Sequence, residues 1–201
     1  MRPKPFSVLF AALIAAPAAS APDKAAPAAS APDKAPPAGM VAVAGALKHE
    51  ATGVTLPDSL GGMTRVVTSS RGVMAMYMPK DLSEMLAGKV ALIGIDKFDR
   101  PKPEFATMRE DARGAFHETG VPVPVEESTF TWPGHPGAAT FHGRYVVGPY
   151  RKDYWRASDQ GWEVNAIVTT PRRDEKLTDR LSKAVATEVF GGATFASPAS
   201  R

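Results

Sequence analysis

Between Gly137 and Thr170 hydrophobic and polar positions alternate with the two-residue period of β-strands. From Gly161 onward Trp162, Val164, Ala166 and Val168 alternate with Glu163, Asn165 and Thr169. One buried face is therefore expected, and Ile167 alone breaks the pattern. Earlier, Phe141, Gly143, Tyr145 and Val147 alternate with Thr140, His142 and Arg144. Gly148-Pro149 and Ser158-Asp159-Gln160-Gly161 punctuate the run, so the stretch reads as a three-stranded meander.

The rest of the chain supplies shorter elements. Residues 54–56 and 63–68 read as strands separated by a turn at Gly61-Gly62. Residues 73–78 form a strand with Met74, Met76 and Met78 on one face and Val73, Ala75 and Tyr77 on the other. Asp81 and Glu84 make a capping-box start for a helix of about two turns that carries Leu82, Met85 and Leu86 and stops at Gly88. The apolar run 89–96 has strand length and calls for cover on both faces. After Pro101 and Pro103, Phe105, Met108, Ala112 and Phe116 recur at helical spacing, with Arg109, Glu110, Asp111 and Arg113 on a solvated face. Residues 123–132 read as one more strand. A final helix opens at Pro171 and Asp174, lines up Leu177, Leu181, Val185 and Val189, and ends at Gly191-Gly192. Strands in runs, without sustained strand-helix alternation, predict an α+β fold. Its expected form is a mainly antiparallel sheet packed by about three helices, the last a long C-terminal amphipathic helix.

Composition adds an address. Arg2 and Lys4 precede an apolar run from Phe6 to Ala16 and then small residues in Ala-x-Ala patterns, the three parts of a secretory signal peptide over residues 1–21. Cleavage is expected after Ala18 or Ala21. The apolar run is too short to span a bilayer as a helix, and no transmembrane segment is expected once it is removed. Residues 22–50 read as a Pro/Ala-rich linker that carries most of a tandem ten-residue repeat, PAASAPDKAA then PAASAPDKAP. One α+β domain is expected over residues 51–192, with a flexible tail at 193–201. The chain has no cysteine, which excludes disulfides, a thiol nucleophile and thiolate metal sites. Removing Arg2 and Lys4 takes the formal charge from +3 to +1. There is no global basic footprint for nucleic acid, and binding to nucleic acid or an anionic membrane has to be argued locally.

The order of sheet elements ending in the strand GWEVNAIVTTP, followed by one terminal amphipathic helix, resembles the Mog1/PsbP-like α/β/α sandwiches. The resemblance covers residues 51–192 in outline and touches no functional motif. It implies a scaffold used for binding and assembly, often in small exported or envelope proteins.

Candidate chemistry is sparse. No Gly-rich loop leads through Gly-Lys-Ser/Thr into a helix, and no Gly-x-Ser-x-Gly elbow presents a serine. Of the four histidines, His49 falls in or beside the linker and His117 near a helix end, while His135 and His142 approach a common metal only if the intervening turn folds back. The segment Tyr150, Arg151, Lys152, Tyr154, Trp155 and Arg156 interleaves bases with aromatics. Exposed, it would stack on sugars or bases; otherwise it is an edge strand with its aromatics turned inward. Met74, Met76 and Met78 read first as core packing, and alternatively as soft ligands for Cu(I). No cofactor is expected. The sequence reading is an exported, periplasmic or secreted, non-enzymatic binding or accessory module of the bacterial envelope, with an envelope protein or polysaccharide as partner. Copper handling and an unrecognised hydrolase are the alternatives.

Overall fold

The alternating segments pair into an eight-stranded antiparallel sheet in the computed structural model, which describes residues 36–68, 73–116 and 119–195. The signal segment, the repeat as far as residue 35 and His117 lie outside the described residues. In chain order the elements are β1 (Met40–Val43), β2 (Ala46–His49), β3 (Thr55–Pro57), β4 (Ser59–Leu60), β5 (Met63–Thr68) and β6 (Val73–Met78). There follow α1 (Leu82–Leu86), β7 (Val90–Lys97), α2 (Phe105–Phe116), β8 (Val123–Ser128), β9 (Phe130–Thr131), β10 (Ala139–Val147), β11 (Tyr150–Asp159) and β12 (Trp162–Pro171). The chain closes with α3 (Glu175–Ala184), a π-helical turn (Val185–Val189) and β13 (Thr194–Phe195).

The large sheet runs β4-β5-β6-β7-β12-β11-β10-β8. The meander β10-β11-β12 is its longest part, with Val147 opposite Tyr150 and Asp159 opposite Trp162. At the second turn Gln160 and Gly161 both hold positive φ, 47° and 77°, the backbone of a two-residue hairpin whose twist matches its strands. Both faces of the meander are covered, so β12 is buried on two sides and Ile167 packs against a core of its own. On one side α3 and the π-helical turn bring Leu181, Val185 and Phe190 onto Trp155, Val164, Ala166 and Ile93. On the other, Met108, Ala112 and Phe116 of α2 meet Phe141, Tyr145 and Tyr154. The result is a sheet-dominated α+β domain with three α-helices among the described residues.

Four boundaries differ from the sequence reading. Ordered strands begin at Met40, inside the stretch assigned to the linker, because Met40 and His49 are buried partners across β1 and β2 and Leu56 of β3 enters the core. The single strand expected over 123–132 is two, β8 and β9, and β9 leaves the large sheet to pair with β13. The tail is therefore held at Thr194 and Phe195. The final helix keeps α-geometry for ten residues and then widens into the π-helical turn.

Candidate functional site

Strand pairing builds a polar floor on the α3 side of the sheet. Ser128, His142 and Trp155 stand opposite one another across β8, β10 and β11, and Glu126, Arg144 and Asp153 form the next such row. Over these rows Asp179, Ser182, Lys183, Ala186 and Thr187 make one wall and Phe195 of β13 another. With Glu126, His142 and Arg144 of the rows they line a cleft of about 430 Å³, whereas Ser128, Asp153 and Trp155 do not reach its lining.

The second row is electrostatically closed. Arg144 donates to both oxygens of Asp153, from Nε at 3.0 Å and Nη2 at 3.1 Å, and through Nη1 to Asp179 Oδ1 at 2.9 Å. Burial works against ionisation of Asp153, but the contacts from His142 and Arg144 outweigh it and hold the carboxyl below its ordinary range.

The first row is open. His142 is 1% exposed, and its Nε2 stands 3.5 Å from Asp153 Oδ2, at the limit of hydrogen-bond length. Neither ring nitrogen has a hydrogen-bond partner, and the same holds for the Trp155 Nε1 and the Ser128 hydroxyl. The His142 ring centroid lies 4.4 Å from Trp155 and 5.0 Å from Phe195. His142 Nδ1, Trp155 Nε1 and the Ser128 hydroxyl are thus three buried polar atoms in one row without hydrogen-bond partners, while His142 Nε2 faces Asp153, in a fold where such groups are ordinarily satisfied.

The aromatic-basic segment does not form an open groove or an edge. It is β11, an interior strand between β10 and β12. Trp155 lies beneath the cleft, while Tyr154 donates to Asn165 Oδ1 on the α2 side. Arg156 is buried in contact with Glu163 and with Asp111, so the α2 face expected to be solvated contributes a partner to the sheet. Lys152 packs over the Phe116 ring and donates to Thr119 Oγ1, and burial lowers its pKa to about 8. Tyr150 and Arg151 alone reach the periphery, where Arg151 donates to the Arg172 carbonyl and pairs with Glu175.

Met74, Met76 and Met78 are half-buried on the face away from the main core, which takes Val73, Ala75 and Tyr77 instead. Their strand neighbours are Gly94, Leu92 and Thr64. Core packing is therefore corrected to a partly open sheet face. At about 3.3 Å per residue the row extends about 13 Å, too far for three thioethers to meet at one ion.

His135 and His142 have separate surroundings. His135 stacks on Trp132 and bonds Asp159 Oδ2 through Nδ1 and the Thr52 carbonyl through Nε2, both at 3.0 Å. Lys102 bonds the other Asp159 oxygen at 2.8 Å. His49 is not a linker residue but a buried one, bonded to Thr52 and edge-on to Trp162. Among the described residues no three His, Asp or Glu side chains are grouped to hold a metal ion.

Sequence reasoning reached Arg144 as an alternating strand position and His142 as that and as a conditional metal partner of His135, and it missed Ser128, Asp153, Asp179 and Ser182. The available signal was that a helix on each side of the sheet leaves no outward face, so polar residues in the meander had to meet something other than bulk water.

The outline of the fold is similar to that of PsbP. The solution structure of cyanobacterial PsbP (CyanoP) from Synechocystis sp. PCC 6803 aligns over 76% of this chain and 87% of that one, with a TM-score of 0.46 and 8% sequence identity. No family model and no curated protein matches the chain.

Proposed function

We propose that the protein is an exported, non-enzymatic binding or accessory module of the bacterial envelope, and that its cleft takes a hydroxyl-rich ligand such as a fragment of envelope polysaccharide. The observation carrying this reading is the polar lining of the cleft, where His142 meets Glu126, Arg144, Ser182 and Lys183. The carboxylate of Glu126 accepts, the ammonium of Lys183 donates, the hydroxyls of Ser182 and Thr187 do both, and the imidazole has two nitrogens of changeable role. Sugar hydroxyls, each able to give and accept, complement that set, and Phe195, 45% exposed, offers a ring face at the rim. In this reading α3 and the π-helical turn act as one long amphipathic cover whose polar edge forms the wall of the cleft. Calorimetric titration with oligosaccharides cut from envelope polysaccharide tests it: binding should be lost in His142→Leu, and no binding by the wild type would refute it. The intact mass of the secreted chain checks export, which requires loss of the segment ending at Ala18 or Ala21.

A hydrolase is the second reading, since Ser182 and His142 line one cleft with Asp153 beneath. Binding is preferred because no hydroxyl bonds His142 and because Arg144 already occupies both Asp153 oxygens. Cleavage of an ester or glycoside that disappears in Ser182→Ala would reverse the preference.

A further inference from the structure

Helix α1 buries none of its residues. A short helix ordinarily owes its stability to a packed apolar face. Here Asp81 accepts from the Ser83 N–H and hydroxyl at one end, and Lys89 bonds Glu84 just past the other. Leu82 and Leu86 take no part in this and are 64% and 74% exposed. Beside them Leu86, Ala87, Pro149, Tyr150 and Pro171 line an apolar notch of about 390 Å³, with Arg172 and Arg173 in its wall.

Around this corner five cations, Lys80, Lys89, Arg151, Arg172 and Arg173, meet four carboxylates, Asp81, Glu84, Asp174 and Glu175, and the ion pairs leave three of the cations out. Glu84 and Asp174 face Lys89 at 2.9 and 4.0 Å, Glu175 faces Arg151 at 3.3 Å, and Asp81 is spent on the cap. Arg172 and Arg173 are exposed, as is Lys80 two residues before Leu82, and among the described residues no carboxylate pairs with any of the three. Protruding leucines, a tyrosine and three exposed cations without ion-pair partners share this corner.

We propose that this corner docks the domain onto an anionic lipid surface. Leu82 and Leu86 enter the acyl boundary, and Lys80, Arg172 and Arg173 meet lipid phosphates. Lipid fits better than a protein partner because the leucines stand proud of the surface. A rigid partner needs a matching pocket for each, whereas a fluid layer admits any protruding apolar group and supplies phosphates at every position around it. The inference is independent of the cleft, which lies on another part of the molecule, and survives if the cleft binds nothing.

The chain has no cysteine, so Ala87→Cys gives a unique labelling site beside Leu86 for a polarity-sensitive dye, and Glu110→Cys on exposed α2 gives a control. With the full chain, vesicles of phosphatidylcholine plus phosphatidylglycerol should blue-shift the label at 87 and leave that at 110 unchanged. Phosphatidylcholine alone should shift neither, and salt should weaken the response. Leu82→Ser/Leu86→Ser in the labelled background should abolish the shift. Arg172→Ala/Arg173→Ala should weaken binding about 25-fold, from about fivefold per cation. Neither pair contributes to the core, so both variants should unfold at the wild-type midpoint. Absence of a shift on phosphatidylglycerol, or a shift that persists in the serine variant, overturns the proposal. A shift induced by an acidic leucine-bearing peptide but not by vesicles overturns it too and assigns the corner to a protein partner.

Discussion

Replacing His142 with leucine separates a binding role from a structural one, because the two predict opposite responses in stability. The imidazole is 1% exposed and both nitrogens lack hydrogen-bond partners. A buried polar group left in that state costs about 1–3 kcal/mol. Leucine has similar bulk and no polar atom, so the substitution removes that cost. Against it stand the 3.5 Å contact to Asp153, which keeps both bonds from Arg144, and the ring contacts to Trp155 and Phe195. A ring contact of this kind is worth roughly 0.5–1.5 kcal/mol, and loss of the Asp153 contact reduces the gain further. The variant should therefore be as stable as the wild type or up to about 2 kcal/mol more stable, with Tm rising about 2–4 °C per kcal/mol in a domain of this size. Asp153→Asn provides the contrast, since breaking a buried pair should cost about 3–5 kcal/mol. Urea unfolding with an unchanged m-value reads both. A loss of more than about 1 kcal/mol in His142→Leu would show that the imidazole is a satisfied core residue, and the cleft would lose its argument.

Leu181, fully buried, packs so closely over Gly61 that a Cβ there would stand 2.5 Å from its Cδ2. Leu181→Ala should cost about 2–5 kcal/mol and exposed Lys183→Ala within about 0.5, and equal effects in urea unfolding would mean the helix face is misassigned. Lys152 sheds its proton near pH 8, whereas an unfolded lysine holds it to about 10.5. Between those values the unfolded chain binds more protons, so wild-type stability should gain with rising pH relative to Lys152→Met, and parallel urea midpoints for the two across that window would contradict the burial argument. The Met74/Met76/Met78→Leu variant and the wild type should bind Cu(I) equally weakly against a competing chelator, because the thioethers are spread along the strand. One tightly held equivalent lost in the variant would move the function to copper handling.

The antiparallel sheet and its helices were legible because alternation and helical spacing are local, and Val164, Ala166 and Leu181 lie where those periods put them. What lay on the other face was not. Alternation cannot say whether the second face of a strand meets water or a helix, so β11 read as an edge when it is buried on both sides. The same blindness sent the methionines to the core, since Met74, Met76 and Met78 and their neighbours Val73, Ala75 and Tyr77 are all apolar and the period alone does not choose between faces. The cleft was illegible for a different reason. Its floor sets Glu126 beside Arg144 through strand register, a long-range property that no spacing within the chain records.

The strand order also sets a timetable. The middle of the large sheet, β12-β11-β10, is formed by chain that comes after β8, which lies at one edge, and after β7, which borders it on the other side. Until Pro171 has arrived, β7 lacks its partner β12 and nothing bridges it to β8. A chain delivered N-terminus first can pair β4, β5, β6 and β7 early, but β7 gains its second neighbour only when β12 arrives, a long-range closure that is slow beside the local pairings. The large sheet is thus completed only by the last third of the chain.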